Sequence, residues 1–164
     1  MAGPESVMNW VSWGPLGAAS LHIVEEFFYP GGFMTWYRRY KPGRSTSITP
    51  RFLVIMNGLL LVVCYDVGAM GPRPSGVALW LMVMALLAAN AGWHVVGTMK
   101  TRSYSPGVVT GLLFYVPLAV YGYVRFVRSG QASVATAIIA CLIGASYQIW
   151  ADALHRWRVR RLTA

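Results

Sequence analysis

Long apolar stretches separated by short polar breaks constrain this chain more than any other feature. Five of them, approximately Met8 to Phe28, Phe52 to Met70, Val77 to Met99, Pro106 to Val127 and Ala132 to Leu154, are long enough to cross a hydrocarbon core. As helices they need roughly 17–25 residues for a core about 30 Å thick. Lipid offers the backbone no hydrogen-bond partner, so such segments must satisfy their own N–H and C=O groups as helices. The expectation is an all-α integral membrane bundle of five transmembrane helices, forming one domain over residues 1–164. Gly14-Pro15 interrupts the first stretch and predicts a kink or a re-entrant path there. Tyr29 to Arg51 interleaves aromatic and basic residues after the breaker Pro30-Gly31-Gly32, which reads as an interfacial segment at the headgroup level. Met1 to Val7 carries an acid and no basic residue, unlike a secretory signal, so the first stretch is expected to be retained.

The net charge of +9 would suggest nucleic acid as partner in a soluble chain. Here the basic residues sit between apolar runs, where they set topology and meet anionic lipid, so membrane lipid is the expected partner and nucleic acid is not. If all five stretches span, eleven of the fourteen Lys and Arg residues fall on one side and Arg73, Arg125 and Arg128 on the other. The basic side faces the cytoplasm, placing the N-terminus outside and the C-terminus inside. Cys64 and Cys141 lie within predicted spans without a metal or redox pattern and read as buried thiols. Gly- and Ala-rich faces on the third and fifth stretches permit close helix approach, within or between subunits; the oligomeric state stays open.

Against this topology the polar residues converge. His22, Glu25 and Glu26 lie near the cytoplasmic end of the first stretch, and a helix puts all three on one face. Two of the five acidic residues standing together in an apolar segment require a cation, a shared proton or a water-lined cavity. Asn90 and His94, Asn57, and Asp152 with His155 fall at the same depth on other helices. Asp152 and His155, beside Arg156, also suit a solvated helix end. Asp66 stands apart toward the outer side. In Tyr104-Ser105-Pro106-Gly107, Ser105 suits a helix N-cap and Pro106 the first helical position, and the N–H groups that follow would suit an anion or a developing oxyanion.

His22-Ile23-Val24-Glu25-Glu26, Asn90-Ala91-Gly92-Trp93-His94 and Tyr104-Ser105-Pro106-Gly107 resemble, in order, the HxxEE, NAxxH and YSPG motifs of the HXXEE-domain membrane proteins. The resemblance covers about residues 18 to 128. It implies a bacterial inner-membrane protein and a set of site residues rather than a reaction.

The chemistry those residue types fit best is that of a metal-dependent intramembrane hydrolase, with a divalent ion such as zinc as cofactor. Catalytic zinc takes about three protein ligands and keeps one position open, and His22, Glu26 and His94 would supply a His₂Glu set. Glu25 is then expected as the general base and Asn90 as the group orienting His94 or the water. Tyr104 and Ser105, at the start of the fourth helix, would lie beside the oxyanion. Asn57, Asp152 and His155 are candidates for a supporting shell or a second metal. The substrate would be a lipid-like or prenyl small molecule reached from the bilayer. Two other readings stand beside this one: a metal-free acid/base isomerase or cyclase using Glu25 and Glu26, and a small proton- or cation-coupled transporter or binding subunit. The one-ended placement of the polar residues disfavours transport.

Overall fold

The computed structural model describes residues 4–163, which are helical apart from short connections and contain no strand. The helices are α1 (Pro4–Phe27), α2 (Phe33–Tyr40), α3 (Pro50–Met70), α4 (Pro74–Thr101), α5 (Val108–Arg128), α6 (Val134–Ala145) and α7 (Tyr147–Thr163), with a 3₁₀ turn at Pro42–Ser47. Their starts carry the expected local signals. Pro50 and Pro74 occupy the first turn of α3 and α4, and Thr49 Oγ1 and Ser133 Oγ accept from the N–H groups three residues on.

Among the described residues four helical stretches, rather than five, are long and apolar enough to span: α3, α4, α5, and α6 with α7 in succession. The first segment is a continuous 24-residue helix. It fails on apolarity, because Ser12, Gly14, Gly17, Ser20, His22, Glu25 and Glu26 dilute its hydrophobic residues. The helix runs through Pro15 without a break, and one contact accounts for this. Pro15 has no N–H to give to Val11 O, and the indole Nε1 of Trp80 donates to that carbonyl at 2.8 Å. A partner helix thus supplies the bond that the sequence removed.

α4 is the central element, contacting α1, α3, α5 and α6 and burying Trp80, Leu81, Met84, Leu87, Ala91 and His94. Its closest neighbour is α6, where Ala137, Ala140 and Gly144 form a small-residue face; a Cβ on Gly144 would stand 2.1 Å from Met82 O. The glycine and alanine faces therefore serve close packing within the chain. The outer surfaces carry Ile55, Leu59, Val62, Leu112, Leu113, Ile138, Ile139, Leu142 and Ile143 in exposed positions. Contiguous exposure of this kind suits hydrocarbon rather than water. α5 contains a π turn over Gly111–Tyr115, just before Pro117, in which Val116 N bonds Gly111 O.

The segment after α1 forms α2 and the 3₁₀ turn. Phe33, Trp36 and Tyr37 turn inward with Ile48 to form a second core against Phe27, Leu53 and Trp93, while Arg38 and Arg39 stay exposed. The last apolar stretch is broken at Ser146, and α7 then continues nine residues past Leu154, so Asp152 and His155 lie within a helix and not at its end.

Candidate metal centre

The lower part of α1 brings His22, Glu25 and Glu26 into the bundle, all less than a tenth exposed. The two adjacent glutamates serve different partners. Glu25 turns toward the start of α5, where Gly107 N (2.9 Å) and Val109 N (3.1 Å) donate to Oε1 and Thr110 N (2.6 Å) donates to Oε2. The hydroxyls of Tyr104 and Thr110 donate as well, making five donors in all. A carboxylate has about four lone-pair sites, so Glu25 is saturated. The Tyr104 phenol is held protonated well above its usual range by burial and by the carboxylate it donates to. The anion that fills the α5 N-terminus is thus Glu25 itself. That arrangement corrects two expectations: the N-terminus is not free for an oxyanion, and Glu25 has no lone pair left for general-base work.

Glu26 faces the other way. Its Oε1 lies 3.6 Å from His22 Nε2 and 3.2 Å from His94 Nε2, and ligand atoms of the three residues lie within 4.8 Å of one another. Each imidazole is pinned through its other nitrogen. His22 Nδ1 is 2.9 Å from Thr110 Oγ1, and His94 Nδ1 is 2.8 Å from Ser105 Oγ. Thr110 gives its proton to Glu25, the closer of its two acceptors, so its oxygen accepts from His22 Nδ1–H and leaves the His22 Nε2 lone pair facing Glu26. His94 is fully buried, and among the described residues its Nε2 has no hydrogen-bond partner, standing 3.2 Å from Glu26 Oε1.

Gly107 locks the two histidines together. Its φ of +102° is a conformation glycine adopts freely, and a Cβ there would lie 2.6 Å from His22 Cε1 and 2.9 Å from His94 Cε1. Trp36 stacks on His94 at 5.8 Å, and Trp93 and Phe33 stand around the same ring.

The remaining candidates are distributed differently from the expectation. Asn90 Nδ2 bonds His22 Nε2 at 3.1 Å, so it attends the first histidine and not His94. Ser105 holds His94 and does not cap a helix; α5 begins after Gly107, at Val108. Asn57 bonds Leu53 O on its own helix. Asp152 pairs with Arg44 and Arg156, and His155 Nδ1 is 2.7 Å from Ser47 Oγ. These last two fasten α7 to the 3₁₀ turn and form no second metal set: among the described residues His22, Glu26 and His94 are the one group with metal-ligand spacing. Asp66 is exposed and far along α3 from the site.

Sequence reasoning missed Thr110 and Tyr115. Thr110 links His22 to Glu25, and its only sequence signal is its place in the first turn after Gly107. Tyr115 lies 4.7 Å from the His22 ring with its hydroxyl buried and unpartnered, and the π turn that aims it cannot be read from the residue pattern.

A family described as proteins of unknown function with an HXXEE motif matches residues 13–122. The chain belongs to the HXXEE family. The three motifs of this HXXEE protein meet in one buried assembly: HxxEE supplies His22, Glu25 and Glu26, NAxxH supplies Asn90 and His94, and YSPG supplies Tyr104, Ser105 and Gly107. No curated protein and no solved structure matches the chain.

The donor set of the HXXEE centre suits a cation in its own geometry. Tetrahedral zinc with bonds of about 2.0–2.1 Å places its ligand atoms roughly 3.3 Å apart, close to the 3.2 and 3.6 Å separations here. A cation would also give the orphaned His94 Nε2 a partner, and on His22 Nε2 it would replace the Asn90 contact. A cavity of about 470 Å³, lined by His22, Glu26 and Asn90, adjoins the centre.

Proposed function

We propose that the protein is a metal-dependent intramembrane hydrolase acting on a lipid-like substrate, with His22, Glu26 and His94 as ligands of one divalent ion, zinc by preference. The observation that carries this reading is the meeting of two imidazole Nε2 atoms and one carboxylate oxygen, all buried, at metal-ligand spacing beside a cavity. Three protein ligands leave a position open, as in catalytic rather than structural zinc sites. The bound ion supplies Lewis acidity and lowers the pKa of water.

The chain's own residues divide the other tasks. Thr110 and Ser105 fix the two ring orientations, as outer hydrogen bonds do in metal sites generally. Glu25 holds the start of α5 against α1 and so keeps Gly107 against both histidine rings. With Glu25 saturated, the second oxygen of Glu26 is the group at the centre left to take a proton from water. The Tyr115 hydroxyl, beside the His22 ring and unpartnered among the described residues, and the Asn90 amide are the neutral donors available to a developing negative charge. The membrane is the bacterial inner membrane, with the strongly basic face and the C-terminus on the cytoplasmic side.

Metal analysis of protein purified without chelator tests this. The expected result is about one zinc per chain in wild type, lost in His22→Ala, Glu26→Ala and His94→Ala. Wild type without metal, or three variants that all retain it, overturns the reading. One observation favours a second reading: the Asn90 amide donates to the His22 Nε2 that a metal would need. Glu26, shared between two imidazoles, would then act as acid/base in a metal-free isomerase or cyclase, and activity surviving chelation would select it.

A further inference from the structure

The cavity is longer than the centre it serves. Along α3 its wall runs from Phe52 to Leu60, eight residues and so about 12 Å of helix. Its lining is apolar along Met56, Leu60, Leu86 and Leu87 and polar at the end beside the 3₁₀ turn, where Lys41, Arg44, Asp152 and His155 stand and which we take as its mouth. The charges at the mouth do not balance. Asp152 is the one carboxylate there, and it is taken by both Arg44 and Arg156. Lys41 has no acidic partner among the described residues and lies 4.9 Å from the ring centroid of Tyr40. Burial, and then Arg44, Lys100 and Arg156, hold its pKa below the ordinary lysine value, so its neighbourhood is cationic. On the flank, α3 and α7 meet at Phe52, whose ring lies 5.5 Å from the His155 ring and 4.1 Å from the Arg158 guanidinium carbon; beyond Phe52 their facing residues, Met56 and Leu60 on α3 and Tyr147, Trp150 and Ala151 on α7, line the cavity. The cavity therefore has a cationic end, an apolar remainder, and a flank formed by α3 and α7.

We propose that this cavity takes a single-chain lipid with a phosphate-like anionic head: the head on Lys41 and Arg44, the chain leaving between α3 and α7. The position of its linkage at His22 and Glu26 rests on the hydrolase reading, but the binding itself does not. Lys41 is the selective element, because Arg44 is already committed to Asp152 and also holds the mouth together. A lysine–phosphate contact out of bulk water is a charge-assisted bond, and losing it costs about tenfold in affinity.

The test uses the full chain in nonionic detergent, titrated with lysophosphatidic acid and lysophosphatidylcholine carrying the same brominated acyl chain. The chain quenches Trp93 and Trp150, which line the cavity. The expected result is binding of the anionic lipid about tenfold tighter, a preference abolished in Lys41→Gln and retained in the exposed-site control Arg39→Gln. Equal affinity for the two lipids, or an undiminished preference in Lys41→Gln, overturns the proposal. Inorganic phosphate that competes fully while the brominated chain fails to quench assigns a soluble anion and overturns it too. The same titration in Glu26→Gln separates the two readings: a preference that persists without metal supports the lipid site even if the hydrolase reading fails.

Discussion

Replacing Glu25 by Gln is the sharpest single perturbation of this architecture, because it distinguishes an anchor from a base. The carboxylate takes three donors on Oε1 and two on Oε2. Glutamine keeps the shape but turns one acceptor oxygen into an NH₂ group. If that group faces Thr110, the Thr110 hydroxyl can rotate toward Gly107 O, but the Thr110 backbone N–H is left buried against another donor. An orphaned donor costs about 1–3 kcal/mol, and the surviving bonds lose their charge assistance, so the expected destabilisation is about 2–4 kcal/mol. For a chain of this size that lowers the thermal midpoint by roughly 4–16 °C. The assay is thermal unfolding in detergent followed by tryptophan fluorescence, with chelator present so that metal plays no part. Glu26→Gln is the comparison: its carboxylate faces two imidazole nitrogens and no backbone N–H, so in chelator its midpoint should fall by less than that of Glu25→Gln. If Glu25→Gln unfolds with the wild-type midpoint while Glu26→Gln does not, the division between the two glutamates argued above is wrong.

Gly107→Ala should weaken zinc binding by at least about tenfold, because its Cβ would push both imidazoles apart; Gly32→Ala, at φ +88° with open space around it, carries only the backbone cost, and metal titration of the two variants isolates the steric part. Trp80→Phe removes the indole donor to Val11 O and should cost about 1–3 kcal/mol. That cost should shrink in a Pro15→Ala background, where the helix supplies its own N–H, and a double-mutant cycle of unfolding free energies checks it. Gly144→Val should separate α4 from α6, since even a Cβ meets Met82 O, and is read as lost thermal stability with the metal ligands intact. Zinc added to metal-free wild type should raise the midpoint with concentration, and should do nothing in His94→Ala.

Much of the site was legible before any coordinates. A histidine and two glutamates on one helical face, an asparagine and histidine one turn apart on another helix, and a Ser-Pro-Gly turn are local patterns, and the bundle brings these three together. What each residue does there was less legible. His22 and Glu26 are read by their i, i+4 spacing, but Glu25 is one position along and its rotation points it at a different helix, so its partner could not be inferred from α1 alone. Asn90 and His94 were paired by spacing, whereas packing gives Asn90 to His22. The aromatic residues of α2 read as interfacial because their pattern is amphipathic; which medium takes the apolar face, lipid or the rings around His94, is a matter of tertiary contact.

The sequence by itself determined that the chain is helical, that it carries apolar helices of spanning length, and which motifs hold its ionisable groups, because each of these follows from composition and spacing within a single segment. Tertiary structure decided that Pro15 leaves α1 unbroken, that Glu25 fills the α5 N-terminus, and that His22, Glu26 and His94 meet around one point. In the first two cases a buried polar atom finds its partner on a helix remote in the sequence; in the third, the packing of α4 on α1 brings His94 to Glu26.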